Sequence, residues 1–149
     1  MNAVRRLQPS DHDPDSELHF HGLGLVLERY ARDVDFAAPD AAFEDVEEYL
    51  PRILSKRGLS AELAIATFGQ VSVTVQELPL PYYAAQEATA RARIAMRDPD
   101  DWQILACALT RGCPIWTEDR DFFGAGVPTW TTDRIEIFLS GASAGESGR

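Results

Sequence analysis

Lysine is nearly absent: Lys56 is the one lysine among 14 basic residues, and 24 acids outnumber them for a net charge of −10. A chain this acidic makes a poor general nucleic-acid binder, because counterion release needs clustered Lys and Arg. Cysteine is scarce too. Cys107 and Cys113 are too few for a disulfide framework and lack the CxxC spacing of a zinc site. No apolar run approaches the ~18 residues of a membrane span. Arg5 and Arg6 are not followed by the apolar stretch of a secretory signal. The expected setting is soluble, reducing and cytoplasmic, with no membrane. P-loop, GxSxG and HExxH patterns are all missing, which removes the common nucleotide, serine-hydrolase and zinc-protease readings.

What remains is ordinary globular material. The 149 residues are 45% hydrophobic, enough for one domain that buries roughly two-thirds of its unfolded surface. Residues 1–20 form an irregular start, turn-rich from Pro9 to Ser16. His12 and His19 fall within it and His21 just after it, and all three read as exposed histidines rather than a metal tract. Leu23, Val26, Leu27 and Tyr30 are spaced i, i+3, i+4, i+7, so a helix is expected over about 23–32. A strand follows at Val34–Ala37, then a helix striped by Ala42, Phe43, Val46, Tyr49 and Leu50 and ended at Gly58. A short helix runs from Ser60 to Gly69. Val71, Val73 and Val75 alternate as a strand does. Tyr82–Met96 and Asp98–Gly112 are helical, Pro114–Thr117 and Val127–Trp130 are short strands, and Asp133 caps a last helix through Leu139. Residues 140–149, rich in Gly, Ser and Ala, are expected to be a disordered tail. Strands separated by helices argue α/β with a mainly parallel sheet.

Three acidic groups stand out: residues 44–48, 98–101 and 118–121. Asp98 suits an N-cap, Pro99 the first helical position, and Asp100 and Asp101 the first turn's dipole. Yet at about 100° per residue, Asp101 projects onto the apolar face set by Ile104, Leu105, Ala108 and Leu109. A carboxylate aimed there is costly to desolvate unless paired or bound. In the first group Glu44 and Glu48 point away from the stripe, while Asp45 and Glu47 flank it. Asp119 follows a strand, where parallel sheets gather their sites. Converging carboxylates suit Mg²⁺ or Mn²⁺ and phosphoryl hydrolysis. Cys107, beside two alanines, reads as a small core residue.

Asp101-Trp102-Gln103-Ile104-Leu105-Ala106-Cys107-Ala108 resembles the third acidic motif of the PIN domain family, an aspartate opening a helix. Trp116-Thr117-Glu118-Asp119-Arg120-Asp121-Phe122 resembles the fourth, a strand ending in Thr-x-Asp. Phe43-Glu44-Asp45-Val46 resembles the second, with Asp45 the better fit. The resemblance covers roughly Leu23 to Leu139. It implies a three-layer α/β/α fold over 21–139 and a Mg²⁺- or Mn²⁺-dependent ribonuclease, with Asp45, Asp101 and Asp119 as catalytic and metal-binding residues. Asp98, Thr117 and Asp121 would support them. Arg52, Lys56, Arg57 and Arg97 are candidate phosphate contacts. RNA as substrate, an antitoxin protein as silencing partner, and a homodimer also follow from the resemblance.

Family members begin with an apolar strand ending in a first aspartate, and nothing in Met1–Ser16 matches it. The first central strand is therefore expected to be missing or replaced. An altered gene start or frame, substitution by Asp13 or Asp15, and a degenerate, non-catalytic PIN-like binding or assembly module are the three explanations.

Overall fold

The computed structural model describes the backbone of residues 2–5, 16–57 and 61–146. Five strands run parallel: β1 (Asn2–Arg5), β2 (Asp35–Pro39), β3 (Val75–Leu78), β4 (Ile115–Trp116) and β5 (Thr129–Trp130), in the order β3-β2-β1-β4-β5. The helices are α1 (Ser16–Tyr30), α2 (Asp40–Arg57), α3 (Ala61–Thr74), α4 (Leu80–Tyr83), α5 (Glu87–Ile94), α6 (Trp102–Arg111) and α7 (Ile135–Glu146), with 3₁₀ turns at Ala84–Gln86, Pro99–Asp101 and Arg120–Phe122. No helix among the described residues is long and apolar enough to cross a membrane.

Side-chain alternation along the strands builds the three layers expected from the sequence. Phe36, Ala38 and Trp116 face one apolar cluster, joined by Leu23 and Leu27 of α1, Val46 of α2, Val71 of α3 and Leu139 of α7. Ala37 and Ile115 face the other, joined by Tyr83, Ala90, Ile94 and Leu105 from α4 to α6. A period of two sends neighbouring residues to opposite faces, so β2 and β4 each feed both clusters. Phe36 and Trp116 lock the first cluster across the sheet, rings 5.7 Å apart and tilted. Gly112 closes α6 in the left-handed conformation (φ 62°), with Cys113 N–H also donating to the carbonyl of Ala108 at 3.1 Å.

At residues 2–5 and 16–20 the structure corrects the irregular reading of residues 1–20. Asn2–Arg5 is the central strand: Asn2, Ala3 and Val4 pair with Asp35, Phe36 and Ala37, while Val4 and Arg5 pair with Ile115 and Trp116. Of the two expectations, missing or replaced, the second describes it: a strand fills the central position, and it carries no acid. Asn-Ala-Val-Arg holds a single strong β-former, so it shows no period of two; pairing on both flanks selects it instead. Asp13 and Asp15 lie outside the described residues. Helix α1 begins at Ser16, earlier than Leu23.

Two further boundaries move. Val71 and Val73 belong to α3, not to a strand, and only Val75 opens β3. Phe68, Val71 and Val75 share a helical i, i+3, i+7 spacing as readily as an alternating one; Val71 is 3% exposed and Val73 90%. Gly69 sits inside that helix rather than closing it. Ser140–Glu146 continues α7 instead of forming a disordered tail, because each added helical residue gains a hydrogen bond once Ile135 and Leu139 have buried the first turns. Residues 147–149 lie outside the described ones. The single helix expected over Tyr82–Met96 is broken into α4, a 3₁₀ turn and α5.

A proline in the central strand would remove a ladder N–H, which sheets tolerate only at edges. Val4→Pro is expected to cost about 1–3 kcal/mol, the scale of leaving a buried hydrogen-bonding group unpaired, read as a fall in the urea midpoint; an unchanged midpoint would remove β1 from the sheet centre.

Candidate active site

From β1 the chain winds outward to β2 and β3, then returns to the other side for β4 and β5. Strand order therefore reverses between β1 and β4. In open parallel sheets such a reversal opens a crevice beyond the carboxyl ends of the strands, the usual position of a site. The acids singled out in the sequence are carried on elements at this edge.

Asp101 ends the 3₁₀ turn Pro99–Asp101 and leads directly into α6. Its side chain is turned inward, 6% exposed, while Asp100 is exposed, as the helical projection requires. Asp98 builds the turn: its Oδ1 accepts from Asp100 N–H at 3.1 Å, and its carbonyl accepts from Asp101 N–H at 3.3 Å. Thr117 follows β4 and is 1% exposed. Its Oγ1 accepts from Asp119 N–H at 3.0 Å. Asp119 is half-buried, and its Oδ1 accepts from Asp121 N–H at 2.8 Å. Thr117, Asp119 and Asp121 are thus brought into one hydrogen-bonded turn, anchored by the fully buried Phe122. On α2, Asp45 is half-buried between the buried Phe43 and Val46, whereas Glu44, Glu47 and Glu48 are exposed. That separates Asp45 from Glu47.

Sequence reasoning missed Asp40. It follows the last residue of β2 with no intervening loop, opens α2, and gathers three donors. Ala41 N–H and Tyr83 Oη–H donate to Oδ1 at 2.9 and 2.5 Å, and Leu80 N–H donates to Oδ2 at 2.9 Å. Tyr83 in turn packs tilted against Trp102, ring centroids 5.8 Å apart, and the Arg91 guanidinium lies 4.7 Å over Trp102. So the start of α2 is tied through α4 to the residue beside Asp101. A Pro-Asp pair before a helical stripe signals the cap; partners 40 residues away leave no local trace.

Burial, then the hydrogen bond to Asp40 and its charge, push the Tyr83 hydroxyl far above its ordinary value. Burial, then Asp40 and Cys113, raise the Cys107 thiol likewise. A buried, protonated thiol is no nucleophile, in keeping with Cys107 as a core residue. Among the basic candidates, Arg97 turns its Nη1 to backbone carbonyls of Arg120 and Asp121. Arg52, Lys56 and Arg57 lie on α2, with side chains outside the described ones.

Carboxylate oxygens are the donors Mg²⁺ and Mn²⁺ take. Among the described residues, however, no three His, Cys, Asp or Glu side chains gather into a group that could hold an ion. Asp45, Asp101 and Asp119 therefore do not make a ready-formed metal site.

The PIN domain family profile matches residues 20–140. No curated protein matches the chain.

Raised folded-state values for Tyr83 and Cys107 mean that the folded protein keeps protons the unfolded chain releases. Stability is complete below their ordinary values of 10.0 and 9.0 and declines as pH rises past them. Tyr83→Phe should cost about 1.5 kcal/mol at neutral pH, the scale of a hydrogen bond to a charged group. It should also flatten the loss of urea midpoint between pH about 8 and about 11. An alkaline slope equal to wild type would disprove the Tyr83 assignment.

Proposed function

Because this chain belongs to the PIN domain family, whose members are generally nucleases, we propose that it is a ribonuclease hydrolysing RNA phosphodiesters, with Asp45, Asp101 and Asp119 as its acidic site residues. The observation that carries the reading is Asp101. This carboxylate is only 6% exposed and opens α6 at the switch-point edge of a parallel sheet, where sites gather. Asp119 supports it from the adjacent strand end, where Thr117 and Asp121 fix the turn on either side. Mg²⁺ or Mn²⁺ dependence rests on the family resemblance, as do a toxin role with an antitoxin partner and a homodimer; a cytoplasmic setting rests on the scarce cysteine.

A second reading has its own observation. β1 carries no acid, and the described carboxylates form no group of three. Both favour a non-catalytic PIN-like module that binds without cutting.

The two separate in one experiment. Under the ribonuclease reading, wild type with Mn²⁺ cleaves a mixed RNA pool, and Asp101→Asn and Asp119→Asn each lose about 100-fold or more in rate with unchanged urea midpoints. Calorimetric Mn²⁺ binding should weaken in the same variants. A well-folded wild type that neither cleaves RNA nor binds Mn²⁺ would establish the second reading.

A further inference from the structure

Arg93 lies in the last turn of α5, and Arg97 follows three residues beyond the end of that helix. Arginines on an acidic protein of this family invite assignment as phosphate contacts. Their partners here are of another kind. Arg97 Nη1 donates to the carbonyls of Arg120 and Asp121 at 3.2 and 3.0 Å, and also to that of Phe123. Arg93 Nη1 donates to the carbonyl of Ala125 at 3.4 Å. Four carbonyls of one loop, residues 120–125, thus face two guanidinium groups.

The loop is shaped to receive them. Gly124 and Gly126 both hold left-handed backbone, at φ 86° and 84°, which favours glycine. A Cβ at Gly126 would stand 2.8 Å from Arg93 Nη1, and one at Gly124 would stand 3.5 Å from Arg97 Nη2. The glycines therefore do two things: they turn the chain, and at Gly126 they leave room for the cation.

This loop is the one that carries Asp119. Asp119 caps the 3₁₀ turn Arg120–Phe122, its carboxylate receiving Asp121 N–H. The direction of that carboxylate depends on the turn staying closed. Phe122 holds the turn from the core side, and Arg97 holds two of its carbonyls from the solvent side. A planar guanidinium with several fixed donors suits such multiple acceptance.

We infer that Arg97, seconded by Arg93, is a positioning residue that holds the Asp119 carboxylate at the catalytic edge by clamping the carbonyls of residues 120–125, rather than a contact to the RNA backbone. The catalytic part of this inference rests on the ribonuclease reading; the clamp itself does not.

Arg97→Gln tests it through two independent readouts. The first is amide hydrogen exchange on the whole protein, without RNA. The clamp predicts that the amides of Asp121 and Phe123 exchange at least about tenfold faster, while those of α6 keep their protection, because only a local opening is released. The second is binding of a fluorescein-labelled RNA oligonucleotide in EDTA between about 50 and about 200 mM salt. Affinity and salt slope should match wild type, and where wild type cleaves RNA the variant should lose kcat at unchanged KM. Unchanged exchange at Asp121 and Phe123 overturns the clamp. Weaker RNA binding with a salt slope lower by about one would instead make Arg97 a phosphate contact. A wild type that cuts no RNA defeats the ribonuclease reading, and the exchange result still decides the clamp.

Discussion

The sheet depends on four residues at its centre. Asn2–Arg5 is laddered to β2 on one flank and β4 on the other, so among the described residues it is the strand that joins the β3–β2 half of the ladder to the β4–β5 half. Parallel strands cannot be joined by tight turns; each pair needs a crossover, and the crossover helices cover both faces. Once β1 sets the register, Phe36 and Trp116 meet on one face while Ala37 and Ile115 share the other. The two apolar clusters, and hence the three layers, are consequences of that alignment. The same strand fixes the crevice, since strand order reverses at its boundary with β4.

At the carboxyl edge, much of the order comes from carboxylates accepting backbone N–H groups. Asp98 accepts from Asp100, Asp119 from Asp121, and Asp40 from Ala41 and Leu80. Charge-assisted bonds of this sort are stronger than neutral ones, and each fixes a turn where a strand gives way to a helix or a helix begins. Asp40 has the longest reach. Through Tyr83 and Trp102 it couples the origin of α2, which bears Asp45, to the origin of α6, which follows Asp101. Acidity in this chain is therefore partly architectural, and the net charge of −10 does not measure the strength of any one site.

The parts legible in the sequence are those determined locally. Asp98-Pro99 before an apolar stripe and Gly112 after it bound a helical segment by capping chemistry alone, and the projection of Asp101 inward follows from periodicity. Thr117 and Asp119 are legible as a strand end with a turn. What escaped was set by distant partners. β1 has weak intrinsic preference and exists because two strands pair with it. Val71 satisfies both periods, and packing against α1, where Gln70 donates to the Gly24 carbonyl at 3.0 Å, resolves it as helix and leaves Val73 exposed. Asp40 went unnoticed because two of its three donors, Leu80 and Tyr83, lie on α4. Arg97 looked like a phosphate contact because charge is visible in a sequence and the carbonyls it meets are not.

The end of β1 bears on the ribonuclease reading. Register sets Arg5 beside Trp116, one residue before Thr117, at the level where the site opens. A divalent ion is held more tightly as the number of carboxylates rises, so a strand end without an acid lowers the charge count available for metal chemistry. The acids that the ribonuclease reading uses, Asp45, Asp101 and Asp119, sit on the surrounding elements instead. Arg97 serves the same reading: its charge is turned toward loop carbonyls, where it orders an acid.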